Sequence, residues 1–113
     1  MVVIIIEGGA SVPELPASLP ELAAALRSGA LPLDAYLAAL EARFTEREPA
    51  VLAFMPEPGR WDRLRQAALA LLARYPDPQT RPPLFGVAVG VKDIFHVDGL
   101  PTTGGSQLPP DVL

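Results

Sequence analysis

A chain of 113 residues can hold one small domain with a modest core, and half of its residues are hydrophobic, which excludes a disordered composition. The net charge is −4 and the arginines are scattered rather than gathered on one stripe, so nucleic-acid binding driven by charge is disfavoured. No cysteine and a single histidine argue against disulfides, thiol chemistry and a transition-metal site, and fit a reducing compartment. The longest apolar runs fall far short of a membrane span, and residues 1–6 lack the basic start of a secretory signal before Glu7 interrupts them. The expected setting is cytoplasmic, with no membrane partner.

In chain order, residues 2–6 are a β-branched run, readable as a strand or as a fraying start. Residues 8–17 read as a loop. Ser18, Pro20 and Glu21 then form a capping-box pattern, with Leu19, Leu22 and Leu26 as an apolar face and Gly29 as a stop. A second helix is predicted over 33–46, where Leu33, Tyr36, Leu37, Leu40 and Phe44 recur at helical spacing; Pro49 is expected to end it. Residues 50–55 are a short apolar piece compatible with a strand, and 56–59 a turn. A third helix is predicted over 60–74, turning Trp61, Leu64, Ala68, Leu71, Leu72 and Tyr75 to the core, with Asp62 favourable at its N-terminus. Prolines make up 14 of the 113 residues, about 12% against an average near 5%, and they punctuate the chain without any internal repeat. Residues 84–91 are apolar almost throughout, as expected of a strand buried on both faces of a sheet. Asp98-Gly99 signals a turn and 102–107 a flexible loop.

At the end of that apolar run stands Lys92, the one lysine of the chain; the other eight basic residues are arginines. Arginine stays protonated, whereas a buried lysine can lose its proton and act as a base. The surrounding stretch, PLFGVAVGVKDIFHVDGLPTTGGS over residues 83–106, closely resembles the catalytic-lysine region of the amidase signature family. That region has an apolar strand ending in Val-Lys-Asp, followed by a Gly-Leu-Pro-Thr-Thr-x-Gly-Ser loop. Residues 19–54 also resemble, more loosely, the helical lead-in of the same family.

The resemblance implies an α/β fold, in which a helical lead-in precedes the first strands of a mixed central sheet that this chain leaves incomplete. The expected organisation is an N-terminal strand or loop over 1–18, helices over 19–75, a proline-rich connector over 76–83, and the lysine strand with its glycine-rich loop over 84–113. It implies hydrolysis of a carboxamide C–N bond through an acyl-serine, with Lys92 as general base, a small-molecule amide as substrate, and no metal or organic cofactor. Amidotransferase subunits that act on charged tRNA belong to the same family, and nothing in these residues separates the two. Thr102, Thr103, Gly104, Gly105 and Ser106 would line the substrate pocket. A lysine base must be neutral, and burial of Lys92 in the apolar sheet is expected to lower its pKa from about 10.4. Asp93 is expected to make structural hydrogen bonds, and His96 to serve packing or surface roles.

The family's two catalytic serines lie in a later Gly/Ser-rich signature, and none of Ser11, Ser18, Ser28 and Ser106 stands in that context. The expectation is therefore the N-terminal part of a longer amidase, inactive alone, whose helices pack while the lysine strand is poorly covered and aggregation-prone. Two other readings remain open. One is a helical interaction module or gene remnant without catalysis. The other is a dyad hydrolase with Ser106 as nucleophile and Lys92 as base.

Overall fold

A computed structural model describes residues 14–112. Three helices follow one another: α1, Leu19–Ser28; α2, Leu33–Val51; and α3, Arg60–Arg74. Short 3-10 turns stand at Pro78–Thr80 and Pro110–Val112. Among the described residues there is no strand, and the sole β-type pairing is an isolated antiparallel bridge between Val97 and Leu100. This corrects the α/β expectation: the described fold is helical. The strand expected over 2–6 lies outside the described residues.

The first helix forms as its caps dictate. Ser18 is extended and its hydroxyl accepts the Glu21 amide at 3.4 Å, while Gly29, at φ 82, closes the C-terminus by donating its N–H to Leu26 O. The face so created buries Leu22, Ala23 and Leu26. Against it lie Leu15, Leu31 and the first three turns of α2, where Leu33, Tyr36, Leu37, Ala39 and Leu40 complete the core. Tyr36 is fully buried.

The second helix does not end before Pro49. Proline lacks the N–H that would bond back one turn, but the helix continues for two further residues to Val51. The stop is made at Leu52, which adopts a left-handed φ of 51 and donates its N–H to Glu48 O at 2.8 Å. The Glu48 carboxylate then accepts the Phe54 amide at 2.7 Å, folding the chain back beneath the helix end. The apolar piece 50–55 is thus a helix end and a turn, not a strand.

The third helix matches its predicted bounds. It rides on α2 without burying any residue fully: Trp61, Leu64, Ala68, Leu71 and Tyr75 are packed against the core at its margin, while Leu72 is exposed. Trp61 meets Phe44 edge-on at 5.6 Å between ring centroids, and Arg65 pairs with Glu41 across the two helices. None of the helices among the described residues is long and apolar enough to cross a membrane.

After α3 the chain returns to the core along a strap held by guanidinium groups. Arg81 donates to Tyr75 O at 3.1 Å and to Arg27 O at 3.2 Å, and Arg27 donates to Pro83 O at 3.3 Å. This leads Phe85 into the core, where it is 2% exposed and lies edge-on to Tyr75. Gly86 follows at φ 74, pressed against Leu33, and the Ala88 amide donates to the Tyr36 hydroxyl at 3.3 Å. The apolar run then leaves the core: Val89 is 77% exposed, and Val91, Ile94 and Phe95 are also exposed. Residues 84–91 are therefore a turn and an extended tail, not the buried strand expected. A single aromatic anchor is inserted, and among the described residues no segment forms a β-ladder with residues 84–91.

Candidate functional site

The expected base, Lys92, is exposed, and among the described residues no hydrogen bond or ion pair is made by its ammonium. The burial anticipated for it is absent because the strand that was to provide it does not form.

Around it the loop is nevertheless well organised. Phe95 donates its N–H to Lys92 O at 3.1 Å, closing a turn directly after the lysine. A second turn, at Asp98-Gly99, is closed by Leu100 N–H to Val97 O at 3.0 Å with Gly99 at φ 81, as the sequence predicts. These two turns bring residues 102–106 back beside Asp93. Thr103 donates its N–H to Asp93 Oδ1 at 3.0 Å and its hydroxyl to Asp93 Oδ2, while Gly104 N–H donates to Asp93 O at 2.9 Å. The Thr103 hydroxyl above all, then the Thr103 N–H, holds the Asp93 carboxyl below the ordinary carboxylate range; desolvation opposes this, and the amides of Gly105 and Gly104 add to it. Asp93 thus makes the structural hydrogen bonds expected of it.

Thr102 is buried, donating its hydroxyl to Phe95 O at 3.4 Å and lying 3.1 Å from His96 Nδ1. Gly104 and Gly105 occupy φ 58 and 73, values that glycine adopts without steric cost. Ser106 donates its hydroxyl to Thr103 O at 2.9 Å and accepts the Leu108 amide at 3.2 Å. Its hydrogen bonds stay within the loop, and none reaches Lys92. The structure therefore joins Thr103 and Gly104 to the residue after Lys92, and leaves Ser106 and the lysine unconnected.

A concavity elsewhere in the fold was not anticipated from the sequence. It lies between the end of α2 and the start of α3, with a volume of ≈ 530 Å³, and its walls include Phe44, Leu52, Phe54, Met55, Arg60 and Trp61. Arg60 lies 4.8 Å from the Phe44 ring centroid and 5.5 Å from that of Phe54, and pairs with Glu57 at 3.1 Å. The clustering of aromatic residues around two prolines and Gly59 was the available signal. Neither Lys92 nor any of residues 102–106 lines this hollow. Among the described residues no group of three or more histidine, aspartate or glutamate side chains is placed to hold a metal ion.

Compared with known proteins, the chain is 51% identical over 47 residues to the A subunit of the glutamyl-tRNA(Gln) amidotransferase from Anaeromyxobacter sp. (strain K). That stretch is 42% of this chain and 10% of the relative, so the chain spans about a tenth of the relative's length. No protein-family model and no solved structure matches the chain. The similarity supports, at a coarse level, a relationship to the amidase family.

Proposed function

We propose that this chain is the lysine-bearing part of an amidase-family hydrolase that cleaves carboxamide C–N bonds, with Lys92 as general base. The partial identity to an amidotransferase component carries this reading, and the Val91-Lys92-Asp93 sequence with its Gly-Leu-Pro-Thr-Thr loop supports it. In the proposed reaction a neutral lysine takes, through a second serine, the proton of a serine that attacks the amide carbonyl. Collapse of the tetrahedral intermediate expels the amine and leaves an acyl-serine for water to cleave. Both serines must be supplied from outside these residues, because Ser106 is tied into its own loop and the other serines stand in unrelated contexts. The same addition has to cover Lys92, which is exposed here. The 113 residues alone are thus inactive.

The experiment is ammonia release from a panel of small carboxamides by residues 1–113 joined to a serine-bearing amidase segment, as wild type and as Lys92→Arg. Arginine keeps the charge but cannot serve as a base. Loss of about a hundredfold or more in turnover is expected for a general base; turnover retained within a few fold removes Lys92 from the mechanism. The relative's printed name favours a second reading, in which the released nitrogen is passed to glutamyl-tRNA(Gln). Formation of Gln-tRNA rather than free ammonia in the same assay distinguishes the two. A third outcome concerns the dyad: labelling of the 113-residue chain by a serine-reactive phosphonate, lost in Ser106→Ala, would replace the proposal.

A further inference from the structure

The functional reading uses Lys92 and leaves its neighbour without a task, yet Asp93 is the residue through which the glycine-rich loop is attached. Its two carboxylate oxygens take the amide and hydroxyl of Thr103, and its own carbonyl takes the amide of Gly104. Side chain and main chain of one residue therefore grip two consecutive residues in the loop. The left-handed backbone at Gly104 and Gly105 is what turns successive amides inward to a single carboxylate. On the other side, the Phe95 amide bonds to Lys92 O at 3.1 Å, so the Lys92–Asp93 peptide is fixed by a turn and a grip together. Upstream, Val89 and Val91 are exposed and supply no comparable hold.

We propose that Asp93 is a positioning residue: it clasps Thr103 and Gly104, and so sets where the Lys92 stem stands relative to the 102–106 loop. What that placement serves rests on the amidase reading, but the clasp belongs to this chain and can be tested in it. The titratable groups on the adjoining segments are Lys92, His96 and Asp98. None of them is hydrogen-bonded to Asp93, whose partners Thr103, Gly104 and Gly105 carry no charge.

The test is amide NMR of the 113-residue chain from pH 7 to pH 2. The Thr103, Gly104 and Gly105 resonances are expected to move together, with a common midpoint below the ordinary aspartate value of 3.8. Asp93→Ala should abolish that movement and speed hydrogen exchange at the Thr103 amide by about tenfold or more. Asp93→Asn keeps an acceptor for the Thr103 amide but cannot ionise, so it should restore part of the exchange protection without restoring the pH response. Far-UV circular dichroism of the helices should be the same in all three proteins. The proposal is overturned if the three amides do not titrate, if either measurement is unchanged in Asp93→Ala, or if Asp93→Ala loses helix signal, which would make the residue a support of the whole fold. Lys92→Arg should leave the clasp resonances in place. A failed clasp and a failed lysine base are therefore seen in different measurements.

Discussion

Gly86→Ala probes the contact that seats the returning chain on α2. A Cβ built at this position falls 2.2 Å from Leu33 Cδ2, and the glycine sits at φ 74. Alanine meets two costs there. Left-handed backbone costs an L-residue about 1–2 kcal/mol. The Leu33 methyl must also move, and because Leu33 lies in the core its displacement is an overpacking worth about 1–3 kcal/mol. The expected loss is about 2–5 kcal/mol, a large part of the roughly 5–15 kcal/mol available to a small domain. With a urea slope of about 2 kcal/mol/M, the midpoint should fall by about 1–2.5 M, read by helix circular dichroism and Trp61 fluorescence. Gly99→Ala is the control. It has a similar φ of 81 but nothing within 4 Å of its built Cβ, and it lies in the outer loop. It should leave the helix midpoint in place. In the double variant Leu33→Ala/Gly86→Ala, the removed side chain no longer opposes the new methyl, so the combined loss should be smaller than the sum of the single losses. If Gly86→Ala behaves like Gly99→Ala, the close approach does not exist and Phe85 is not seated as described.

Three further outcomes follow from single groups. Tyr36→Phe removes the buried acceptor of the Ala88 amide and should cost about 1–2 kcal/mol in urea unfolding. Burial raises the Tyr36 pKa above 10.0, against the lowering effect of the Ala88 hydrogen bond, so its contribution is complete below that value and is lost as pH rises through the folded-state pKa. Wild-type stability should therefore carry an alkaline decline that Tyr36→Phe lacks. Glu57 shows the opposite sign: the Arg63 hydrogen bond first, and then Arg60, hold its pKa below 4.5. Its contribution, about 1 kcal/mol or less for a surface ion pair, is present above that value and is lost as pH falls through the folded-state pKa. The difference in urea midpoint between pH 6 and pH 3 should accordingly narrow in Glu57→Gln. Finally, Leu52→Gly relieves a left-handed non-glycine residue that is 80% exposed, and should raise stability by about 0.5–1 kcal/mol in thermal unfolding.

Where the sequence spoke through short-range chemistry, it was legible. Ser18 and Gly29 bound α1, and the α3 bounds followed from the turn before Arg60 and the proline-rich stretch after Arg74. Asp98-Gly99 likewise announced its turn. The end of α2 was hidden because the deciding events are longer in range. Leu52 accepts a left-handed conformation, Glu48 reaches forward to Phe54, and Phe54 packs on Phe44 at 5.3 Å. Residues 84–91 were misread because an apolar run has the same composition whether it enters a sheet, lines a core or lies outside both. What decides is the presence of partners, and here only Phe85 is fully received by the core. The site was legible in part. The hydrogen bonds of Asp93 follow the expectation for that residue, whereas the exposure of Lys92 depended on a strand that does not form.

The strap from Arg81 to Ala88 also fixes how the chain would respond to tension. Its attachments to the helices follow one another along the backbone: Arg81 on Arg27 O, Arg27 on Pro83 O, Phe85 in its pocket, and Ala88 on Tyr36. Pulling from the 92–108 side loads these points in series, beginning with Ala88, so they yield one at a time as a peel rather than together as a shear. The load is spent on the strap before it reaches the α1–α2 contact. The lysine-bearing loop is thus tied to the helical core through Ala88 and Phe85, and a load on it reaches that core when Phe85 yields.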